Sequence, residues 1–126
     1  MKWIGLAFGG VLGTFLRYLL SKLVHERTGI SFPWGTLCVN ALGCFIVGFL
    51  VALFMRERDP VDLNIKIFLV TGFCGAFTTF SSLVLETSSL MEGGRWTASF
   101  LNLALSLLLG FAAFGLGRRL PDLFYS

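Results

Sequence analysis

From Thr28 to Met55 the chain carries no charged side chain. A surface helix or strand of a soluble fold needs a polar face, so a run of this length has no place in one. A lipid bilayer requires such a run. A helix rising 1.5 Å per residue needs about 20 apolar residues to cross a hydrocarbon core roughly 30 Å thick. The pattern recurs: the stretches Trp3–Leu16, Ile67–Leu85 and Trp96–Gly117 are also uncharged. The charges collect between them. Arg17, Lys22, His25, Glu26 and Arg27 form one group, Arg56, Glu57, Arg58, Asp59, Asp62 and Lys66 a second, and Glu92 and Arg95 flank a Gly-Gly turn. Arg118 and Arg119 close the last run.

Charged residues make up 13% of the 126, about half the share of an ordinary soluble domain, and too few to coat one. The pattern predicts an all-α membrane protein, a single integral domain over residues 1–126, with spans near 3–24, 33–55, 64–90 and 96–117. The first span reads as part of the mature protein rather than a signal peptide, because its apolar run is followed by no small-residue cleavage site. Helices are expected because irregular backbone and open sheet edges leave unpaired polar groups in lipid, and the alternating segments of a β-barrel are missing from the sequence. Lys2, Arg56, Arg58, Lys66, Arg118 and Arg119 fall on one side, against Lys22, Arg27 and Arg95 on the other. That bias favours cytoplasmic termini but is modest enough to permit insertion both ways. Basic residues interleaved with aromatics outside the spans are absent, so no nucleic-acid partner is expected.

Small residues repeat at helical spacing: Gly5, Gly9 and Gly13 in the first span, Cys44 and Gly48 in the second, Ser106/Gly110 and Ala113/Gly117 in the fourth. Such faces admit close helix contact, within a subunit or between two. Four helices enclose little volume, which points to an oligomer. Cys38, Cys44 and Cys74 all fall within spans and read as free thiols.

Polar groups inside spans carry function, because each must be compensated in lipid. Arg17 stands late in the first span. Thr36 and Asn40 share a face of the second, and Ser99, Asn102 and Ser106 a face of the fourth. The third reads Thr71-Gly72-Phe73-Cys74-Gly75-Ala76-Phe77-Thr78-Thr79-Phe80-Ser81-Ser82. Glycine and hydroxyl residues in this density are poor helix formers, which predicts a break near 75–79 in mid-membrane. Beyond it, Thr78, Ser82 and Glu86 are spaced as one hydrophilic stripe. Thr36/Asn40, Thr79/Ser82 and Asn102/Ser106 are expected to face a common polar path. Phe73, Phe77 and Phe80 repeat at i, i+4, i+7, and a phenylalanine edge carries positive quadrupole charge.

Enzyme chemistry finds no support: His25 stands alone, and nucleotide-binding, metal-ligating and nucleophile motifs are missing. The spans carry mainly donors, which suits passive movement of a small anion. A four-helix multidrug or cation exporter is the second reading, although it needs a carboxylate where the first span has Arg17. A non-transporting assembly factor is the third.

The motifs Gly9-Gly10-x-x-Gly13-x-x-x-Arg17-Tyr18, Gly35-Thr36-Leu37-x-Val39-Asn40 and Thr71-Gly72-Phe73-x-Gly75-x-x-Thr78-Thr79-Phe80-Ser81 resemble the Fluc/CrcB family of fluoride channels. The resemblance implies passive fluoride efflux across the cell inner membrane through two pores at the interface of an antiparallel, dual-topology dimer. It implies a structural Na+ at the dimer centre held by the backbone carbonyls of Gly75 and Thr78. It places Asn40, Phe80, Ser81, Ser82 and Ser106 along the pore and Arg17 near its vestibule. The sequence departs from the family at Leu83-Val84, where a second Phe-Ser is usual. The departure leaves open whether the second subunit is a copy of this chain or a non-identical partner that supplies the missing aromatic.

Overall fold

The computed structural model describes residues 1–56 and 60–125. Glu57, Arg58 and Asp59 of the expected polar hinge lie outside the described residues. The described chain is helical with no strand. Helix α1 covers Lys2–Thr28 and α2 Trp34–Arg56. The third span begins with α3 (Leu63–Lys66), continues as a π-helical segment (Ile67–Cys74) and ends its first half with α4 (Gly75–Phe77). Helix α5 (Phe80–Glu92) resumes after a break at Thr78 and Thr79, and α6 covers Trp96–Phe124. Among the described residues, four helical stretches are long and apolar enough to cross a membrane: Lys2–Thr28, Trp34–Arg56, Leu63–Glu92 and Trp96–Phe124.

The helices end where local chemistry makes them end. Gly29 takes φ 79 after α1, and Gly94 takes φ 74 between α5 and α6, a left-handed conformation that glycine adopts without cost. The Asp62 carboxylate accepts a hydrogen bond from the Asn64 amide and caps α3.

Two helix pairs organise the subunit. In the first, α1 lies against the π segment and α4. A Cβ added at Gly9 would stand 2.5 Å from the Phe68 carbonyl oxygen, and one added at Gly13 would collide with the carbonyl oxygen of Phe73. The wider π turn therefore presses its backbone directly into the glycine face of α1. In the second, α2 and α6 run together over much of their length. A Cβ on Gly48 would strike Phe114 O, and one on Gly117 would strike Phe45 O. The glycine repeats are thus spent largely within one subunit, at distances only a missing side chain permits.

The fourth-span polar face divides. Ser99 and Asn102 are fully buried and turn toward α5: the Ser99 hydroxyl donates to Thr87 O at 3.1 Å, and Asn102 Nδ2 donates to Thr87 Oγ1 at 3.0 Å. They fasten α6 to α5. The expected common path therefore excludes Asn102: its Nδ2 is spent on α5, its buried Oδ1 has no partner among the described residues, and it lines neither cavity described below.

Candidate functional site

The break is built from its own hydroxyls and from α2. Thr78 (φ −87, ψ 154) and Thr79 (φ −148, ψ 112) are extended, which stops α4 and turns the chain into α5. Thr79 is the N-cap of α5, its Oγ1 accepting from the Ser82 amide at 3.2 Å and lying within 3.3 Å of the Ser81 hydroxyl. Asn40 meets the break from α2 with both ends of its amide. Its Nδ2 donates to Thr79 O at 3.0 Å, and its Oδ1 accepts from Thr79 N–H at 2.7 Å. The freed C-terminal end of α4 takes a charge: Arg17 Nε donates to Ala76 O at 3.1 Å. A cation there complements the negative end of the helix.

Two cavities meet at Thr79. One is an open cleft of about 600 Å3 between α1, α2 and α5, lined by Arg17, Lys22, His25, Thr36, Thr79, Ser82 and Glu86 among others. Within it Thr36 Oγ1 donates to Glu86 Oε1 at 2.6 Å, while the buried Glu86 Oε2 has no partner among the described residues. The other is a groove of about 330 Å3 that includes Asn40, Thr78, Thr79, Phe80, Leu83 and Ser106. The Ser106 hydroxyl is buried there without a hydrogen-bond partner among the described residues. The Asn40–Thr79 pair therefore stands in the wall between cleft and groove, with Thr79 exposed to both.

The candidate residues divide accordingly. Asn40, Phe80 and Ser106 share the groove, Arg17 and Ser82 share the cleft, and Ser81 is exposed beside Thr79. The break separates residues that unbroken helical spacing would align. Thr78 lines the groove, whereas Ser82 and Glu86 line the cleft, so the expected Thr78/Ser82/Glu86 stripe is not one face. Phe73 and Phe77 stack with centroids 5.7 Å apart, and Phe77 is buried at 3% exposure. Phe80 lies past the break at 77% exposure, its ring presented outward along the groove.

Gly75 and Thr78 can be tested against the proposed cation through hydrogen-bond accounting. In a continuous helix the Thr79 N–H would donate to Gly75 O; here its single proton goes to Asn40. The Gly75 carbonyl has thus lost its helical donor. Thr78 donates its own N–H and hydroxyl back to Cys74 O, both at 3.0 Å, and its extended ψ takes its carbonyl out of the helical direction. Two carbonyls released within four residues suit a hard cation, which prefers oxygen ligands.

Sequence reasoning did not foresee the π segment, the Thr36–Glu86 hydrogen bond or the bridging position of Thr79. The Thr-Phe-Ser-Ser run could have identified Thr79 as an N-cap. The other two depend on how helices approach one another.

The fold and site define a multi-pass membrane protein with a polar break in its third span, where a cleft and a groove meet. The chain matches the family model described as CrcB-like protein, Camphor Resistance (CrcB), over residues 4–118, and it belongs to that family. It is 46% identical over 117 residues to a protein of Magnetococcus marinus named fluoride-specific ion channel FluC, covering 93% of each chain. It is 39% identical over 126 residues to a protein of the same name from Hydrogenovibrio crunogenus, covering 100% of this chain and 95% of that one. A third of that name, from Solidesulfovibrio magneticus, is 45% identical over 118 residues, covering 94% of each chain.

Proposed function

We propose that this protein is a fluoride-selective ion channel that lets fluoride leave the cytoplasm passively across the inner membrane. The observation that carries the reading is near-full-length similarity to channels so named, joined to a cleft and a groove that meet at the Asn40–Thr79 pair. Arg17, in no ion pair among the described residues, is the charge in the cleft that draws an anion entering from water; Lys22 there is paired with Glu26. The hydroxyls of Ser82 in the cleft and of Ser81, exposed beside Thr79, replace hydration. Asn40 spends one Nδ2 hydrogen on Thr79 O and keeps the second for the ion. In the groove, the Phe80 ring edge and the Ser106 hydroxyl contact the anion without a full charge that would trap it.

The groove is open on one side, so a pore along it needs a second wall. An antiparallel second copy supplies that wall in this reading, giving two pores per dimer. Sodium at the dimer centre would be held by the carbonyls of Gly75 and Thr78, and when bound it would supply positive charge that locks the two breaks together. The exporter alternative is disfavoured by Arg17, which gives its Nε to a carbonyl where that class needs a titrating carboxylate.

The purified protein, reconstituted in liposomes loaded with potassium fluoride, is the test. Fluoride release on addition of a potassium ionophore, with chloride far slower, is the expected result. Equal rates for the two anions would overturn the proposal.

A further inference from the structure

Opposite the cleft described above, α2 and α6 separate beyond the close contact of Gly48 and Gly117. A third cavity of about 410 Å3 opens there, and its lining includes Ala52, Arg56, Gly115, Arg118, Arg119 and Asp122. Its floor is small: Ala52 has only a methyl group, and a Cβ added at Gly115 would meet nothing within 4 Å. Its rim is basic. Arg56 is ion-paired with Asp122, and its guanidinium carbon lies 5.9 Å from the centre of the Tyr125 ring. Among the described residues, Arg118 and Arg119 are in no ion pair. Among the described residues the cavity thus holds three arginines against one aspartate, at the level where the uncharged stretches of α2 and α6 end. The exposed Phe124 and Tyr125 follow immediately, the aromatic residues expected at headgroup depth.

We infer that this cavity is a binding site for the phosphate of an anionic phospholipid. Guanidinium forks match phosphate oxygens with two parallel hydrogen bonds, and two of the three forks have no carboxylate partner among the described residues. The position commits the source. An arginine pair at the hydrocarbon boundary, beside the exposed Met55, Leu116 and Leu123, fits a headgroup whose acyl chains lie along the apolar outer faces of the helices. A soluble phosphate would use the arginines and leave those apolar side chains uncovered. The Arg56–Asp122 pair braces one wall, holding the end of α2 to the last turns of α6 around the site.

Native mass spectrometry of the purified protein in detergent, with phosphatidylglycerol or phosphatidylcholine added, tests the site. Wild-type protein should retain phosphatidylglycerol in preference to phosphatidylcholine. The double variant Arg118→Gln/Arg119→Gln should lower that retention about tenfold. Arg27→Gln, which removes a charge at the other end of α1–α2, should not. Arg118→Lys/Arg119→Lys keeps the charge, guards against misfolding as an explanation, and should fall between wild type and the glutamine variant. Equal retention of the two lipids by wild type, or an unchanged preference in the glutamine variant, would overturn the proposal. So would displacement of phosphatidylglycerol by millimolar inorganic phosphate, which would assign the arginines to a soluble ligand.

Discussion

Asn40 and Thr79 form a closed pair of hydrogen bonds, the Asn40 amide giving a proton to the Thr79 carbonyl and taking one from the Thr79 N–H. One side chain thereby satisfies both backbone groups that the helix break releases at that residue, which is what lets an extended segment persist among apolar helices. The same contact holds Thr79 between the two cavities.

Replacing Asn40 separates support from conduction. Asn40→Ala leaves a part-buried N–H and C=O without partners and should cost about 1–3 kcal/mol in stability, read as a lower melting temperature in detergent. Asn40→Asp keeps the acceptor for Thr79 N–H but places a negative charge on the proposed fluoride path. It should melt closer to wild type yet lose at least about tenfold in fluoride flux. Wild-type flux from the aspartate variant would remove Asn40 from the pore.

Arg17 should act through charge as well as through its bond to Ala76. Arg17→Gln is expected to slow fluoride efflux several-fold at low ionic strength, with the gap narrowing in high salt as screening shortens the reach of the charge. Arg17→Lys should recover most of the low-salt rate. A loss independent of ionic strength would confine Arg17 to bracing the end of α4.

The glycines at helix contacts should tolerate no side chain, whereas those facing open space should. Gly13→Ala and Gly117→Ala force a methyl group onto the carbonyls of Phe73 and Phe45 and should destabilise by about 1–3 kcal/mol. Gly10→Ala and Gly115→Ala, with nothing within 4 Å of the new carbon, should stay within about 0.5 kcal/mol of wild type. Thermal melts of the four variants in one detergent provide the comparison.

Fourth-span hydroxyls and amides should divide by role. Asn102→Leu removes the bond to Thr87 and should lower the melting temperature with fluoride-over-chloride selectivity unchanged. Ser106→Ala removes an unpartnered hydroxyl from the groove and should leave the melting temperature near wild type while reducing fluoride flux. The opposite assignment of effects would place the conduction path on the α5-facing side of α6.

Replacing sodium with N-methyl-D-glucamine on both sides of the membrane should abolish fluoride flux in reconstituted vesicles if the Gly75 and Thr78 carbonyls hold a structural cation. Unchanged flux after verified sodium loss would show that the break needs no ion.

Much of this protein is legible in its sequence because hydrocarbon imposes a one-dimensional rule. The uncharged runs and the charges between them indicate four spans, and Gly75, Thr78 and Thr79 mark where the third must break, since poor helix formers in lipid need another way to satisfy their backbone. The Asn40 amide likewise announces that it must meet a partner. What the sequence leaves undecided is which partner. Asn40 and Asn102 are the same residue type in comparable apolar surroundings, yet one stands between the cleft and the groove and the other fastens α6 to α5. Helical periodicity aligned Thr78 with Ser82 and Phe77 with Phe80, but two extended residues rotate α5 relative to α4 and send each pair to different surfaces. The glycine faces could have served a dimer, and tertiary structure spends Gly9, Gly13, Gly48 and Gly117 on contacts inside the subunit. Composition and spacing determine that a polar group must be satisfied; only the approach of a second helix, decided by packing in three dimensions, determines whether that satisfaction is a brace or a binding site.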